Sequence, residues 1–201
     1  MNIRFLGSLL LICVLSCFGQ TSPKHYAGPR KLGPFDLDTE MPMSEMFDLL
    51  KVAPIKMANP ICFRSTDGTY MWIERMGMET AEEREFVGSI FLSIFANCVR
   101  NPVHVSPESI AKWKTKEGIG LGSTKQDVLR IYGKPSKDNV IKGDMYQSII
   151  VGGFQGGIYT ITPKPDIGYE VFEYTEKDSL MTAEFGFRKG IIIWISISEN
   201  E

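Results

Sequence analysis

The chain has 201 residues, of which 43% are hydrophobic and 23% charged, proportions that are ordinary for a globular protein. This length allows one large domain or two small ones that share a core. The formal net charge is −2 and no long basic block is present, so nucleic acid is a poor candidate for a partner.

The N-terminus has the pattern of an export signal. Arg4 precedes an apolar run over 5–15, and a polar stretch begins at Gln20. The run is too short to cross a bilayer as a helix, which needs roughly 20 apolar residues. Residues 1–20 are therefore predicted to be an export signal. The expected location is the periplasm or the outer membrane, with secretion as the alternative.

Two interpretations of signal cleavage remain open. Val14-Leu15-Ser16-Cys17 resembles a bacterial lipobox, in which Cys17 would carry a lipid and anchor the protein to a membrane. Ordinary cleavage near Gly19 or Gln20 would instead release a protein without an anchor.

Two cysteines, Cys62 and Cys98, lie outside the signal. In an oxidising compartment such a pair predicts one disulfide. A zinc site would need more ligands, and the two histidines, His25 and His104, do not have finger spacing. The disulfide is the preferred prediction, and no metal or other cofactor is expected.

The first predicted elements after the signal are a tether and a helix. Residues 21–32 show no periodicity and predict a tether. Met43, Met46, Phe47 and Leu50 follow the i, i+3, i+4, i+7 spacing of a short amphipathic helix.

Strands are predicted next. Segments 61–65 and 69–74 flank Asp67-Gly68, a pair typical of hairpin turns, and 86–95 is rich in β-forming residues. Residues 97–116 are predicted to be a loop. After position 136 the pattern predicts five more strands, over 145–151, 157–162, 169–174, 181–187 and 190–198.

The last predicted strand contains a run of isoleucines. Ile191, Ile193, Ile195 and Ile197 alternate along it and are predicted to share one buried face. Trp194 would then point to the other side of the sheet. The turn before this strand is predicted at Arg188-Lys189-Gly190.

The segment Gly118–Pro135, GIGLGSTKQDVLRIYGKP, raises the question of phosphate binding. Its glycines match neither the dinucleotide fingerprint nor the P-loop spacing. The same residues predict a helix with Ser123 as N-cap and Gln126 completing a capping box. Gly133 would end the helix and Pro135 would prevent its resumption.

The sequence offers no catalytic constellation. There is no G-x-S-x-G motif, and both histidines fall in predicted loops. The protein is therefore expected not to be an enzyme, to have no catalytic residues, and to bind no cofactor.

Aromatic residues on the second face of the predicted sheet are candidates for protein binding. Tyr70 and Trp72 share one face of their strand, and Trp194 projects from the last strand. Such residues anchor protein interfaces. The alternative is that another part of the chain covers this face.

Gly118–Pro135 resembles the small SmpA/OmlA outer-membrane lipoprotein domain. The resemblance rests on Gly122, Ser123, Val128, Leu129, Gly133 and Pro135. The broader group includes the tandem fold of the β-lactamase inhibitor protein, with two helix-plus-sheet repeats. The resemblance implies roles in outer-membrane assembly or in inhibition of a secreted hydrolase, and it brings no catalytic residues.

Together these observations predict an α+β fold of two similar halves, each a short helical element packed on an antiparallel β-sheet. Residues 33–105 would form the first half and 106–201 the second, SmpA/OmlA-like half. The predicted function is that of an exported, non-enzymatic cell-envelope protein that binds another protein. A secreted proteinaceous inhibitor of a hydrolase is the alternative.

Overall fold

The structure is a computed structural model that describes most of the chain after the predicted signal. The described residues are 28–55, 60–77, 85–95, 103–141, 148–149, 159–160, 169–175 and 181–199. The predicted export signal, Cys17 and Cys98 lie outside these ranges, so the predictions that concern them are not tested by the fold.

The described elements are mainly strands. They are β1 (Lys31–Leu32), β2 (Phe35–Asp36), β3 (Ile61–Ser65), β4 (Tyr70–Met76), β5 (Phe86–Ser93), β6 (Val103–Ser106), β7 (Lys137–Ile141), β8 (Ser148–Ile149), β9 (Tyr159–Thr160), β10 (Tyr169–Thr175), β11 (Met181–Arg188) and β12 (Ile191–Glu199). The helices are α1 (Met43–Leu50), α2 (Lys125–Tyr132) and a 3-10 helix (Leu37–Thr39).

Eight strands form one mixed sheet in the order β6-β3-β4-β5-β12-β11-β10-β7. Neighbouring strands are antiparallel except β3 and β6, which are parallel. Two small sheets, β1-β2 and β8-β9, complete the described strands.

The predicted α+β fold of two helix-on-sheet halves is wrong. The central pair of the large sheet is β5 and β12, which are bonded from Trp194↔Ser93 to Ser198↔Ser89. Strands from both parts of the chain therefore share one ladder, and the described structure is mostly β. In two separate sheets, β5 and β12 would each have unpaired backbone groups at an edge. Pairing of β5 with β12 satisfies the hydrogen bonds of both strands.

The helix α1 confirms the sequence prediction. Met43, Met46, Phe47 and Leu50 are all buried, as their spacing requires. Leu32, in the segment predicted to be a tether, is also buried in the core that α1 covers.

The helix α2 forms where predicted, but its cap is one residue later. Thr124 is the N-cap and Asp127 completes the capping box, instead of Ser123 and Gln126. The Ser123 hydroxyl accepts a hydrogen bond from the Gly120 N–H at 3.0 Å and so closes the preceding turn. Gly133, at φ 72°, ends the helix as predicted.

The two faces of the large sheet bury different side chains. We call the face against α1 and α2 the helix face; its aliphatic and aromatic residues include Phe63, Ile90, Leu92, Phe185 and Ile195. We call the opposite face the aromatic face; its buried cluster comprises Cys62, Trp72, Phe91, Val171, Ile193 and Trp194.

A β-bulge in β12 corrects the predicted isoleucine face. Gly186 pairs with Trp194 and Phe187 pairs with Ile192, so Ile193 is the extra residue. Ile195 and Ile197 lie on the helix face, but Ile193 lies on the aromatic face. The alternation predicted from Ile191 onward fails because the bulge shifts it by one residue.

Candidate functional site

The glycine-rich segment before α2 is bonded to the protein itself. The Gly122 N–H donates to the Ile192 carbonyl at 3.0 Å, and the Lys125 N–H donates to the Gly190 carbonyl at 2.8 Å. The Asp127 N–H donates to the Thr124 hydroxyl at 3.1 Å. A phosphate at a helix N-terminus needs such donors to be free, so the geometry favours the structural interpretation of this segment.

Tyr70, Trp72 and Trp194, the residues predicted to bind protein, are brought together on the aromatic face. Phe91 lies between the two tryptophans, with ring centroids 5.1 Å from Trp72 and 5.3 Å from Trp194. Trp72 and Trp194 are only 2% and 3% exposed. As placed, the indoles form part of a buried cluster, and Tyr70 is half-buried at its margin.

Two carboxylates on the aromatic face have raised pKa values. The pKa of Glu184 is raised to about 7, mainly by burial and secondly by the adjacent Glu173 carboxylate, while Lys137 opposes the rise. Burial also raises the pKa of Glu74 to about 7, against the effect of a hydrogen bond with Ser89. Their strands, β4 and β11, are separated by β5 and β12, hence by about 14 Å. The two carboxyl groups therefore project from strands that are not adjacent, and neither contributes to the pKa shift of the other.

The strand β6 forms one edge of the large sheet. It pairs with β3, and no other described strand lies beside it. Val103 and Val105 point to the aromatic face because they are opposite Cys62 and Arg64 in the parallel register. Both are exposed, by 42% and 69%.

A groove lies beside β6, next to the C-terminal end of α1. It has a volume of about 560 Å³ and is lined by Lys51, Val52, Ala53, Pro54, Ile55, His104 and Val105. His104 points to the helix face, with its ring 6.2 Å from the Phe63 ring. Lys51 forms an exposed ion pair with Glu108 at 2.5 Å, and the lining residues other than Lys51 and His104 are apolar. The groove is therefore mainly apolar.

The position of β6 is fixed by hydrogen bonds at its end. The buried Ser106 hydroxyl donates to the Leu50 carbonyl at 2.9 Å and accepts from the Glu108 N–H at 3.2 Å. These bonds join β6 to the last residue of α1, so the groove between them has a defined shape.

The opposite edge of the sheet has a different chemistry. In β7, Lys137 and Asp138 are exposed, and Lys137 forms an ion pair with Glu173 at 2.8 Å. Charged residues on an edge strand discourage the addition of another strand. The side chains of Val103–Ser106 carry no carboxylate, lysine or arginine, so β6 is the better candidate for docking.

The described part of the chain shows neither a metal-binding cluster nor a membrane-spanning helix. No group of three or more His, Cys, Asp or Glu in these residues could hold a metal ion. None of the described helices is long and apolar enough to cross a bilayer.

Comparison with protein families, with characterised proteins and with solved structures finds no match to this chain. The resemblance to the SmpA/OmlA domain therefore stays a prediction, based on the Gly118–Pro135 segment.

The sequence analysis missed β6 because it lies within the predicted loop 97–116. The strand has only four residues, and Pro102 and Pro107 flank it. The alternation of Val103, His104 and Val105 is the one local signal for it, and four residues are too few to separate this pattern from chance.

Proposed function

We propose that the protein is an exported, non-enzymatic cell-envelope protein that binds another protein, and that the partner docks on β6. The observation that carries this proposal is the exposure of Val103 and Val105 on an edge strand whose outer side faces no other described strand. Exposed apolar edge strands are templates for the addition of a further strand.

The supporting physical argument is that β6 provides two kinds of interaction at once. Alternate backbone groups of an edge strand point outward and can bond to an added strand. The groove beside His104 receives a side chain on the helix face, while Val103 and Val105 offer contact on the aromatic face. Backbone bonds would supply affinity and the pockets for alternate side chains would supply specificity.

Site-specific photocrosslinking tests the docking edge. A p-benzoylphenylalanine at Val105 should crosslink to a discrete partner in intact cells that express the protein at its normal level. The same probe at Leu129, which is 36% exposed on α2, is the matched control. The proposal is overturned if position 105 gives no crosslink, or the same crosslinks as position 129.

A second pair of variants distinguishes docking at the edge from nonspecific binding. With the photoprobe at Val103, Val105→Glu should abolish the crosslink because a charge on the edge opposes strand addition. Val105→Thr, which keeps the β-branched shape, should retain it. A discrete partner identified as a hydrolase that the protein inhibits would favour the secreted-inhibitor alternative over the envelope function.

The location is tested separately through Cys17. If Cys17 carries a lipid, the native protein fractionates with membranes and Cys17→Ser moves it to the soluble fraction. A native protein that is already in the soluble fraction would show that the protein has no lipid anchor.

A further inference from the structure

The side chain of Arg64 lies close to the candidate docking edge. Arg64 is in β3, directly opposite Val105 of β6, and both side chains point to the aromatic face. Arg64 is exposed, and its guanidinium lies over the Tyr70 ring, 5.7 Å from the ring centroid. Tyr70 is in β4, on the side of β3 away from β6, so this cation–π contact leaves the arginine charged but does not hold it toward the edge.

Arg64 forms no ion pair with the described residues, which is also true of Arg188. Arg30, Arg75 and Arg130 form ion pairs with carboxylates at 2.6, 2.8 and 3.1 Å. No described carboxylate lies within ion-pair distance of Arg64. A strand added to β6 would lie two strand spacings from β3, about 10 Å. To approach a carboxylate there, the Arg64 guanidinium would leave the Tyr70 ring and pass over the smaller Val105.

The two sides of the docked strand face different surroundings. Its side chains alternate between the helix face, where the groove is mainly apolar, and the aromatic face, where Val103, Val105 and Arg64 lie. The groove favours an aliphatic side chain, and the position nearest Arg64 favours a carboxylate.

We propose that the partner of β6 is an extended segment of another protein with aliphatic residues toward the groove and a carboxylate opposite Arg64. This inference rests on the proposed docking function and specifies the chemistry of its partner. The apolar contacts supply part of the affinity. The Arg64–carboxylate pair selects the register of the docked strand and requires a negative charge at the position opposite Arg64.

Peptides of defined pattern test the inference. The probes are capped Val-Leu-Glu-Leu-Val and the same peptide with Gln or Lys at the centre, each followed by a common soluble tail. Binding to the mature protein is followed by the NMR shifts of β6 amides, which detect millimolar affinity. We expect the Glu peptide to bind about 3-fold more tightly than the Gln peptide and about 10-fold more tightly than the Lys peptide.

Variants of Arg64 provide the decisive comparison. Arg64→Gln should remove the preference for Glu over Lys, and Arg64→Lys should keep most of it. Arg130→Gln, another exposed arginine, should change nothing. Equal binding of the Glu and Gln peptides to the native protein, or an unchanged preference in Arg64→Gln, overturns the inference.

Two other outcomes also decide the question. If no peptide shifts the β6 amides, the inferred partner chemistry is wrong, whereas the photocrosslink from position 105 still decides the proposed function by itself. If the β6 amides shift with protein concentration in the absence of peptide, a second copy of the chain occupies the edge, and the inference is again overturned.

Discussion

Asp67 accepts a hydrogen bond from the Ser109 hydroxyl at 2.6 Å, although the two residues are 42 positions apart. The same carboxylate accepts from the Ala111 N–H at 3.1 Å and from the Thr69 N–H at 3.0 Å. The β3–β4 turn is thereby joined to the segment that follows β6. Partial burial raises the pKa of Asp67, but these bonds and one from Ser65 outweigh that effect and leave the pKa well below its usual range.

Asp67→Asn should lower the free energy of unfolding by about 1–2 kcal/mol, since hydrogen bonds to a charged acceptor are replaced by weaker ones. Urea denaturation at pH 7 measures this. Asp138→Asn on β7 is the control, because Asp138 is exposed and forms no ion pair with the described residues. Equal effects of the two substitutions would show that Asp67 does not stabilise the turn.

The stability of the protein should fall as pH rises toward neutrality. The pKa of Glu184 is raised to about 7 in the folded state, mainly by burial and secondly by Glu173. A carboxyl with a raised folded pKa stabilises the fold below its unfolded pKa, and this stabilisation is lost as pH rises through about 7. The loss has an upper value of about 3 kcal/mol.

Glu184→Gln should flatten this dependence in urea denaturation between pH 4.5 and 8. Glu45→Gln, at an exposed position of α1, should leave the slope unchanged. Glu74→Gln should have an effect of the same sign as Glu184→Gln, because burial raises its pKa to about 7 as well. An unaltered slope in Glu184→Gln would contradict the assignment.

The stacked rings of the aromatic face should contribute to stability. Phe91 is fully buried between Trp72 and Trp194, so Phe91→Ala should cost about 3–5 kcal/mol. Phe91→Leu, which keeps more volume, should cost less. Chemical denaturation gives both values. A cost below 1 kcal/mol for the alanine variant would mean that this cluster is not a stabilising core.

The N-terminus of α2 offers a test of its observed cap. Thr124→Ala should destabilise the protein by about 1 kcal/mol, because the Asp127 N–H loses its acceptor. Thr124→Ser preserves the hydroxyl and should retain most of the stability. If the serine variant is as unstable as the alanine variant, the methyl group rather than the cap is responsible.

The predicted Cys62–Cys98 disulfide would close a loop of ~37 residues and stabilise the protein by about 4 kcal/mol on the chain-entropy model. Cys62 is buried on the aromatic face opposite Trp72. Peptide mapping without reductant should find the two cysteines linked, and reduction should lower the melting temperature. Two titratable thiols in the unfolded, unreduced protein would contradict the prediction.

Features that depend on neighbouring residues were accessible from the sequence. The buried stripe of α1 follows from local spacing. The turns at Asp67-Gly68 and Lys189-Gly190 follow from the tolerance of glycine for positive φ, which Gly68 and Gly190 adopt in the structure. The cap of α2 was displaced by one residue because Ser123 and Thr124 both have suitable hydroxyls. Their three-dimensional neighbours decide which hydroxyl caps the helix.

The arrangement of the sheet was decided by contacts between distant residues. Pairing of β5 with β12 joins the two parts of the chain into one sheet, and the bulge at Ile193 reverses the predicted face of that residue. The candidate docking edge depends on the parallel pairing of β6 with β3. Local patterns specify which residues can form strands, but backbone hydrogen bonds are identical for all sequences. Only the packing of the whole chain selects the partner of each strand and leaves Val103 and Val105 at an edge.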